Sequence, residues 1–149
     1  MHWIALQPQP DVASGESADA LIALGWWALQ FTPRVAQCEG AVLLEVSASE
    51  RLWGGLAQLV DRILASNTQL APVNHAQGAT SLIAVARLQA SALASTLPDD
   101  LPLTSLAAAR PHLATLQKIG CIRWGQLRAL PRGGVVRRFG ASLLQARCV

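Results

Sequence analysis

The most β-branched and apolar stretch of the chain, residues 41–47, contains Glu45 and lies between Glu39 and Glu50. Acids at strand ends are what an enzyme needs to hold two divalent cations against a phosphate. The first predicted strand, residues 3–6, contains no acid. Glu45 falls on the face of its strand opposite the apolar residues, which favours an exposed or helix-paired carboxylate over a metal ligand. We therefore predict no catalytic residue and no metal site.

Histidines, cysteines and glycines do not supply another kind of site. The three histidines lie far apart, without the helical or hairpin spacing of a metal-binding pair. The three cysteines are odd in number and scattered, which indicates no disulfide framework and favours a reducing compartment. No glycine-rich loop opens after a predicted strand, and no spacing nominates a nucleophilic triad. No cofactor is predicted.

The basic residues are distributed unevenly along the chain. Residues 1–109 hold four basic and nine acidic groups, a net charge of −5, whereas residues 110–149 hold eight basic groups and no acid. The eight are Arg110, Lys118, Arg123, Arg128, Arg132, Arg137, Arg138 and Arg147. Because such dense cations repel one another, a surface facing a polyanion is favoured over a solvated basic face without a partner.

Glycines punctuate the basic region and predict short helices. A helix over 111–119 ends at Gly120, a second covers 124–130, and others follow over 134–139 and from Ser142. A glycine turn between two helices exposes backbone N–H groups and a helix N-terminus, where a phosphate can bind. Flanking arginines would add sequence-independent phosphate contacts. The alternative is an ordinary αα-hairpin whose glycine only ends a helix.

The region before residue 98 alternates between predicted strands and helices. Strands are predicted over 3–6, 41–47 and 70–76, and helices from Ala18 to Pro33, from an N-cap at Ser49 to residue 65, and over 80–89. Residues 98–110 begin with Pro-Asp-Asp-Leu-Pro and are predicted to be a linker. This order predicts a small α/β or α+β sheet domain over 1–97 and a helical basic module over 111–149.

Two groups of segments occur in a family-specific order. The first group is 28–36, 42–49 and 52–55, and the second is 116–120, 125–127, 130–132 and 138–140. The first resembles the palm, and the second the helix-hairpin-helix thumb, of Y-family translesion (UmuC/DinB-like) DNA polymerases, and most of all their catalytically inactive ImuB-like branch. The resemblance implies an α+β fold: a palm-like β-sheet with packed helices, then an all-α helix-hairpin-helix module.

The chain also departs from that family pattern. Residues 2–7 read His-Trp-Ile-Ala-Leu-Gln and residues 37–41 read Gln-Cys-Glu-Gly-Ala, where active members carry metal-binding acids and a Ser-x-Asp-Glu element. The stretch between Pro10 and Ala18 is too short for a fingers subdomain, and no little finger follows the thumb-like part. The resemblance thus implies a short, inactive form.

The function implied by this resemblance is that of a non-catalytic accessory protein in DNA repair and translesion synthesis. It would act during the damage-induced (SOS) response and partner a RecA-like protein and an error-prone polymerase. The residues themselves add three predictions: the basic module predicts DNA binding without sequence preference, the cysteines favour the cytoplasm, and the longest strongly apolar uncharged stretch, between Asp19 and Arg34, is too short to span a membrane. The predicted DNA-binding residues are Lys118, Gly120, Arg123, Gly125, Arg132, Arg137 and Arg138. The alternatives are a residual metal-dependent nucleotidyltransferase using Glu39 and Glu45, or a protein-interaction module whose five tryptophans partly form an interface.

Overall fold

A computed structural model describes residues 1–9, 17–66 and 73–146 of the chain. The strands are β1 (Trp3–Pro8), β2 (Val35–Cys38), β3 (Ala41–Glu45) and β4 (Val73–Gly78). They form one antiparallel sheet in the order β2-β3-β1-β4. The helices are α1 (Ser17–Ala28), α2 (Leu56–Ser66), α3 (Ser81–Gln89), α4 (Leu113–Lys118), α5 (Trp124–Ala129), α6 (Arg132–Phe139) and α7 (Ala141–Ala146). This confirms the predicted α+β class.

The two faces of the sheet pack against different helices. Because side chains alternate along a strand, Ile4, Leu6 and Leu44 point to one face, where α1 and α2 bury them. Ala5 and Leu43 point to the other face and pack against α3. None of the helices in the described ranges is long and apolar enough to cross a membrane.

The hairpin formed by β2 and β3 contains a strand that was not predicted. Its turn is Glu39-Gly40, and both residues have positive φ, 55° and 73°. These angles suit a two-residue turn, because its twist then matches that of the flanking strands. Three of the four residues of β2 are exposed, so the strand has no apolar face that would identify it in the sequence.

The helix predicted to start at Ser49 begins later in the structure. Glu50–Trp53 form a 3-10 turn instead, and Ser49 makes no side-chain cap. Gly54 and Gly55 then adopt positive φ values of 82° and 110°, which end that turn before α2 begins at Leu56. The prediction of an N-cap at Ser49 is therefore wrong.

The described residues before 98 are here called the sheet part, and the remaining predicted elements have counterparts in it. The helix predicted over 80–89 is α3, which Thr80 caps by accepting a hydrogen bond from the Ile83 N–H. Of the strand predicted over 70–76, residues 73–76 belong to β4 and the first three lie outside the described residues.

Residues 98–146, here called the C-terminal module, include the segment predicted as a linker. That segment and the residues after it form three 3-10 turns, Pro98–Asp100, Leu103–Ser105 and Ala107–His112. Leu101, Leu103 and Leu106 are buried in the core of the module, together with residues of α4 to α7. The segment therefore packs as part of the module, although the division of the chain into domains stays a prediction.

Helix α3 is shared by the two parts of the molecule. Val85 and Leu88 pack beneath the sheet. Ile83 and Ala86, on another side of the same helix, belong to the core of the C-terminal module. The sheet and the module are thus joined through a helix that both of them bury.

Candidate nucleic-acid interface

Glu45, at the end of β3, is only 3% exposed. Arg34 Nη1 donates to its Oε2 at 3.1 Å, and the Ser47 N–H donates to its Oε1 at 3.0 Å. Hydrogen bonding to Ser47, with a smaller effect of Arg34, lowers the pKa of Glu45 against the opposing effect of burial. The prediction that Glu45 is exposed or paired with a helix is therefore wrong: it is a buried structural group whose partners, Arg34 and Ser47, lie in the loops before β2 and after β3.

Glu39 lies at the opposite end of β3, in the β2–β3 turn. Its Oε2 accepts hydrogen bonds from Arg110 Nη2 at 2.6 Å and Gln89 Nε2 at 2.8 Å. Because the length of β3 separates it from Glu45, the two acids do not meet around a common ion. In the ranges that the structure describes, no group of three or more His, Cys, Asp or Glu could hold a metal.

The turn between α4 and α5 contains the predicted glycine. Gly120 has a φ of 77°, and no atom beyond its two neighbours in the chain lies within 4 Å of where its Cβ would be. The N–H groups of residues 119–121 donate to carbonyls of α4. Those of Ile122 and Arg123 both donate to Gln126 Oε1, at 2.8 and 3.0 Å. The expectation that this turn offers free N–H groups to a phosphate is wrong, because it satisfies them itself.

Gly125 is explained by packing within the module. It lies in the first turn of α5, and a Cβ at this position would be 3.0 Å from Asp99 Cβ and 3.2 Å from the Asp99 carbonyl oxygen. Such contacts are tighter than a packed interior tolerates without a shift. The glycine therefore lets α5 rest on the Pro98–Asp100 turn, and no ligand is needed to account for it.

Three arginines of the module form ion pairs with acids that precede residue 110. The pairs are Arg110 with Glu39 at 2.6 Å, Arg123 with Asp100 at 3.3 Å and Arg128 with Asp99 at 2.7 Å. Exposed pairs of this kind contribute little to stability. They do offset positive charge, so the excess counted over residues 110–149 overstates what a polyanion would meet.

Four of the predicted DNA-binding residues are exposed basic side chains: Lys118, Arg132, Arg137 and Arg138. None of them forms an ion pair with the residues that the structure describes. Lys118 ends α4, and the three arginines lie on α6. Arg147 lies outside the described residues. The unopposed charge of the module is therefore concentrated on α6 and the end of α4.

A groove of about 460 Å³ joins α6 to the α4–α5 turn. Its lining residues are Ile119, Leu130, Pro131, Gly134, Val135, Arg137, Arg138 and Phe139. Of the predicted residues, Arg137 and Arg138 line this groove. Lys118 and Gly120 do not line it; they are the chain neighbours of Ile119, which does. Arg123 and Gly125 lie elsewhere, against the Pro98–Asp100 turn.

Two features of this surface were missed by sequence reasoning. The pairing of Asp99 and Asp100 with arginines had a signal, since two adjacent acids directly precede a long stretch without any. The groove had none. Ile119 follows α4 and Leu130 follows α5, and only the folded module brings them to one groove.

Comparison with known proteins yields two curated relatives, while no protein-family model matches the chain. Both are called Protein ImuB and come from Caulobacter vibrioides, strains NA1000 / CB15N and ATCC 19089 / CIP 103742 / CB 15. Each is 33% identical over 154 aligned residues, which cover 93% of this chain and 33% of the relative. The chain thus spans about a third of the length of these relatives. The similarity supports an ImuB-like relationship; the short form without fingers and little finger stays a prediction.

Proposed function

We propose that this chain is an ImuB-like, non-catalytic accessory protein of DNA repair and translesion synthesis whose C-terminal module binds DNA. Similarity to Protein ImuB over 93% of the chain supports the accessory role. One observation carries the DNA-binding part: Lys118, Arg132, Arg137 and Arg138 are exposed on neighbouring elements and lack an acidic partner among the described residues.

The proposed contacts are ionic and made by side chains. Because the N–H groups of the α4–α5 turn are occupied, the guanidinium groups of α6 and the ammonium group of Lys118 would bind the phosphates. Such contacts release condensed counterions and carry no base specificity. Arg123 and Gly125 take no direct part in this proposal, since Asp100 and Asp99 account for them.

The non-catalytic part of the proposal is supported by the acids of the sheet. Glu45 and Glu39 are held at opposite ends of β3 by arginine partners. A primer-extension assay with Mg²⁺ or Mn²⁺ should therefore show no nucleotide incorporation. An error-prone polymerase would perform the synthesis, and a RecA-like protein is the second proposed partner.

A salt titration of duplex binding tests the DNA role. Four phosphate contacts predict that log K falls with log salt with a slope of about −3.6. Replacing Arg137 and Arg138 by alanine should reduce the slope to about −1.8 and weaken binding at every sequence alike.

Arg123→Ala is the matched control, because it also removes one exposed guanidinium but one that Asp100 already opposes. It should leave the slope almost unchanged. Binding that is absent or insensitive to salt, or equal slopes for the double variant and the wild type, would refute DNA binding by α6.

A further inference from the structure

The outer edge of the sheet lies beside an exposed apolar stripe of helix α1. Ile22, Trp26 and Leu29 follow helical spacing along α1 and are 49%, 73% and 42% exposed. With β2 they line a groove of about 280 Å³. Gly25 lets α1 lie close to β2, since a Cβ at this position would be 3.2 Å from Gln37 Nε2. Adjacent exposed apolar side chains of this kind are typical of an interaction surface.

The free hydrogen-bonding groups of β2 can be assigned from its pairing with β3. The Glu45 N–H donates to the Arg34 carbonyl at 3.0 Å, so Arg34 faces β3. In an antiparallel pair, alternate residues turn both backbone groups toward the partner strand. Ala36 and Cys38 therefore also face β3, and Val35 and Gln37 turn their N–H and C=O groups outward. The edge thus presents two donors and two acceptors with the spacing that another extended strand would pair with.

We infer that this edge binds a second copy of the chain, with the two β2 strands antiparallel about a twofold axis at Ala36. In this register Val35 of each copy is opposite Gln37 of the other, and all four outward groups of each strand are paired. A shift of two residues in one direction leaves some of these groups without a partner. A shift of two residues in the other direction places Val35 opposite Glu39, whose positive φ is not that of a strand. The inference does not depend on DNA binding.

The charges that flank β2 are complementary in this arrangement. Arg34 reaches Glu45 and Glu39 reaches Gln89 of α3, so both side chains lie on the α3 side of the sheet. In the twofold register, Arg34 of one copy is opposite Cys38 of the other and therefore beside its Glu39. Arg34 and Glu39, which keep Glu45 and Arg110 as partners within each chain, then place opposite charges near each other at both ends of the paired strands. This favours the register over one that places like charges there.

The apolar stripe of α1 fits the same twofold axis. A sheet extended edge to edge keeps its two faces, so the two α1 helices come to lie side by side on one face. Ile22, Trp26 and Leu29 of each copy then cover those of the other, and Trp26 supplies the large aromatic contact that interfaces favour. Trp27, by contrast, packs into the core of its own chain. The same twofold axis thus pairs the two β2 edges and buries the two apolar stripes against each other.

Hydrogen exchange at single amides, followed by NMR on the whole chain over a range of concentrations, tests this inference. The Val35 and Gln37 amides should become protected as concentration rises, while the Ala36 and Cys38 amides stay protected throughout because β3 holds them. Sedimentation should show the mass rising from 15.8 kDa toward twice that value. A chain that is monomeric at about 100 µM, with fast exchange at Val35 and Gln37, would overturn it.

Trp26→Ser with Leu93→Ser as its matched control completes the test. Leu93 follows α3 and is 75% exposed, so both variants replace an exposed apolar side chain by serine. Trp26→Ser should weaken self-association at least tenfold, and Leu93→Ser should not change it. Protection of the Ala36 amide in each variant shows that the sheet is intact. Equal self-association of the two variants would contradict the proposed interface.

Discussion

The sheet part and the C-terminal module use their charged residues in different ways. In the sheet part, Glu45 is buried and both of its oxygens are held by neighbouring groups. On α6, Arg132, Arg137 and Arg138 are exposed and form no ion pair within the described ranges. Charge that is held inside a fold serves its structure, whereas charge left at the surface is available to a ligand. The following changes test this difference, in order of expected effect.

Replacing Glu45 by alanine should have the largest effect on stability. The change leaves the Ser47 N–H without its acceptor and removes the partner of Arg34, so we expect a loss of about 2 kcal/mol. Urea unfolding measures it, and DNA affinity should stay the same. A loss near zero would show that this carboxylate is not a structural group.

The contribution of Glu45 should also depend on pH. Because its pKa in the folded protein is below the ordinary value of 4.5, its stabilising effect is present above that pH and is lost as pH falls through the folded pKa. The difference in unfolding free energy between the wild type and Glu45→Gln should therefore shrink on acidification. A difference that grew at low pH would mean that the folded-state pKa is raised.

Gly120→Ala should cost about 1 kcal/mol of stability through its positive φ alone, since nothing lies near the new methyl group. The affinity for DNA should not change, because the N–H groups of the turn are already bonded within the protein. Thermal unfolding and the salt titration measure the two effects. A tenfold loss of affinity in a folded variant would make the turn backbone a phosphate contact after all.

Asp100→Asn should have the smallest effect, and in the opposite direction. It releases Arg123 from its ion pair, so DNA binding should tighten a few-fold at low salt and the slope should steepen by about 0.9. Asp61→Asn on α2 makes the same change in net charge away from the module and is its control. If both variants tighten binding equally, net charge rather than the position of Arg123 decides affinity.

The sequence predicted those elements whose apolar pattern is strong. The alternation around Val42 and Leu44 and the helical spacing of Leu82 to Leu88 identified β3 and α3, because a buried face imposes its period on the sequence. Strand β2 was missed since three of its four residues are exposed. The 98–110 segment was predicted as a linker because prolines and acids obscure its buried leucines.

The candidate site was predictable in its charge but not in its pairing. Arg137 and Arg138 stood out because no acid lies near them in the sequence. That Arg123 and Arg110 are paired depends on Asp100 and on Glu39, which is 71 residues away from Arg110. Glu39 and Arg110 are brought together only by the tertiary fold, so local spacing cannot reveal that pair. The adjacent acids Asp99 and Asp100 did give a signal, but it does not show which arginines they bind.

The position of α3 has a consequence for how the molecule melts. The sheet and the C-terminal module each bury one side of this helix. If either part unfolds, α3 loses half of its packing, and the other part loses the support of a fixed helix. Calorimetry should accordingly record one heat-absorption peak for the whole chain. An oligonucleotide held by α6 would then raise the melting temperature of strands that it never touches.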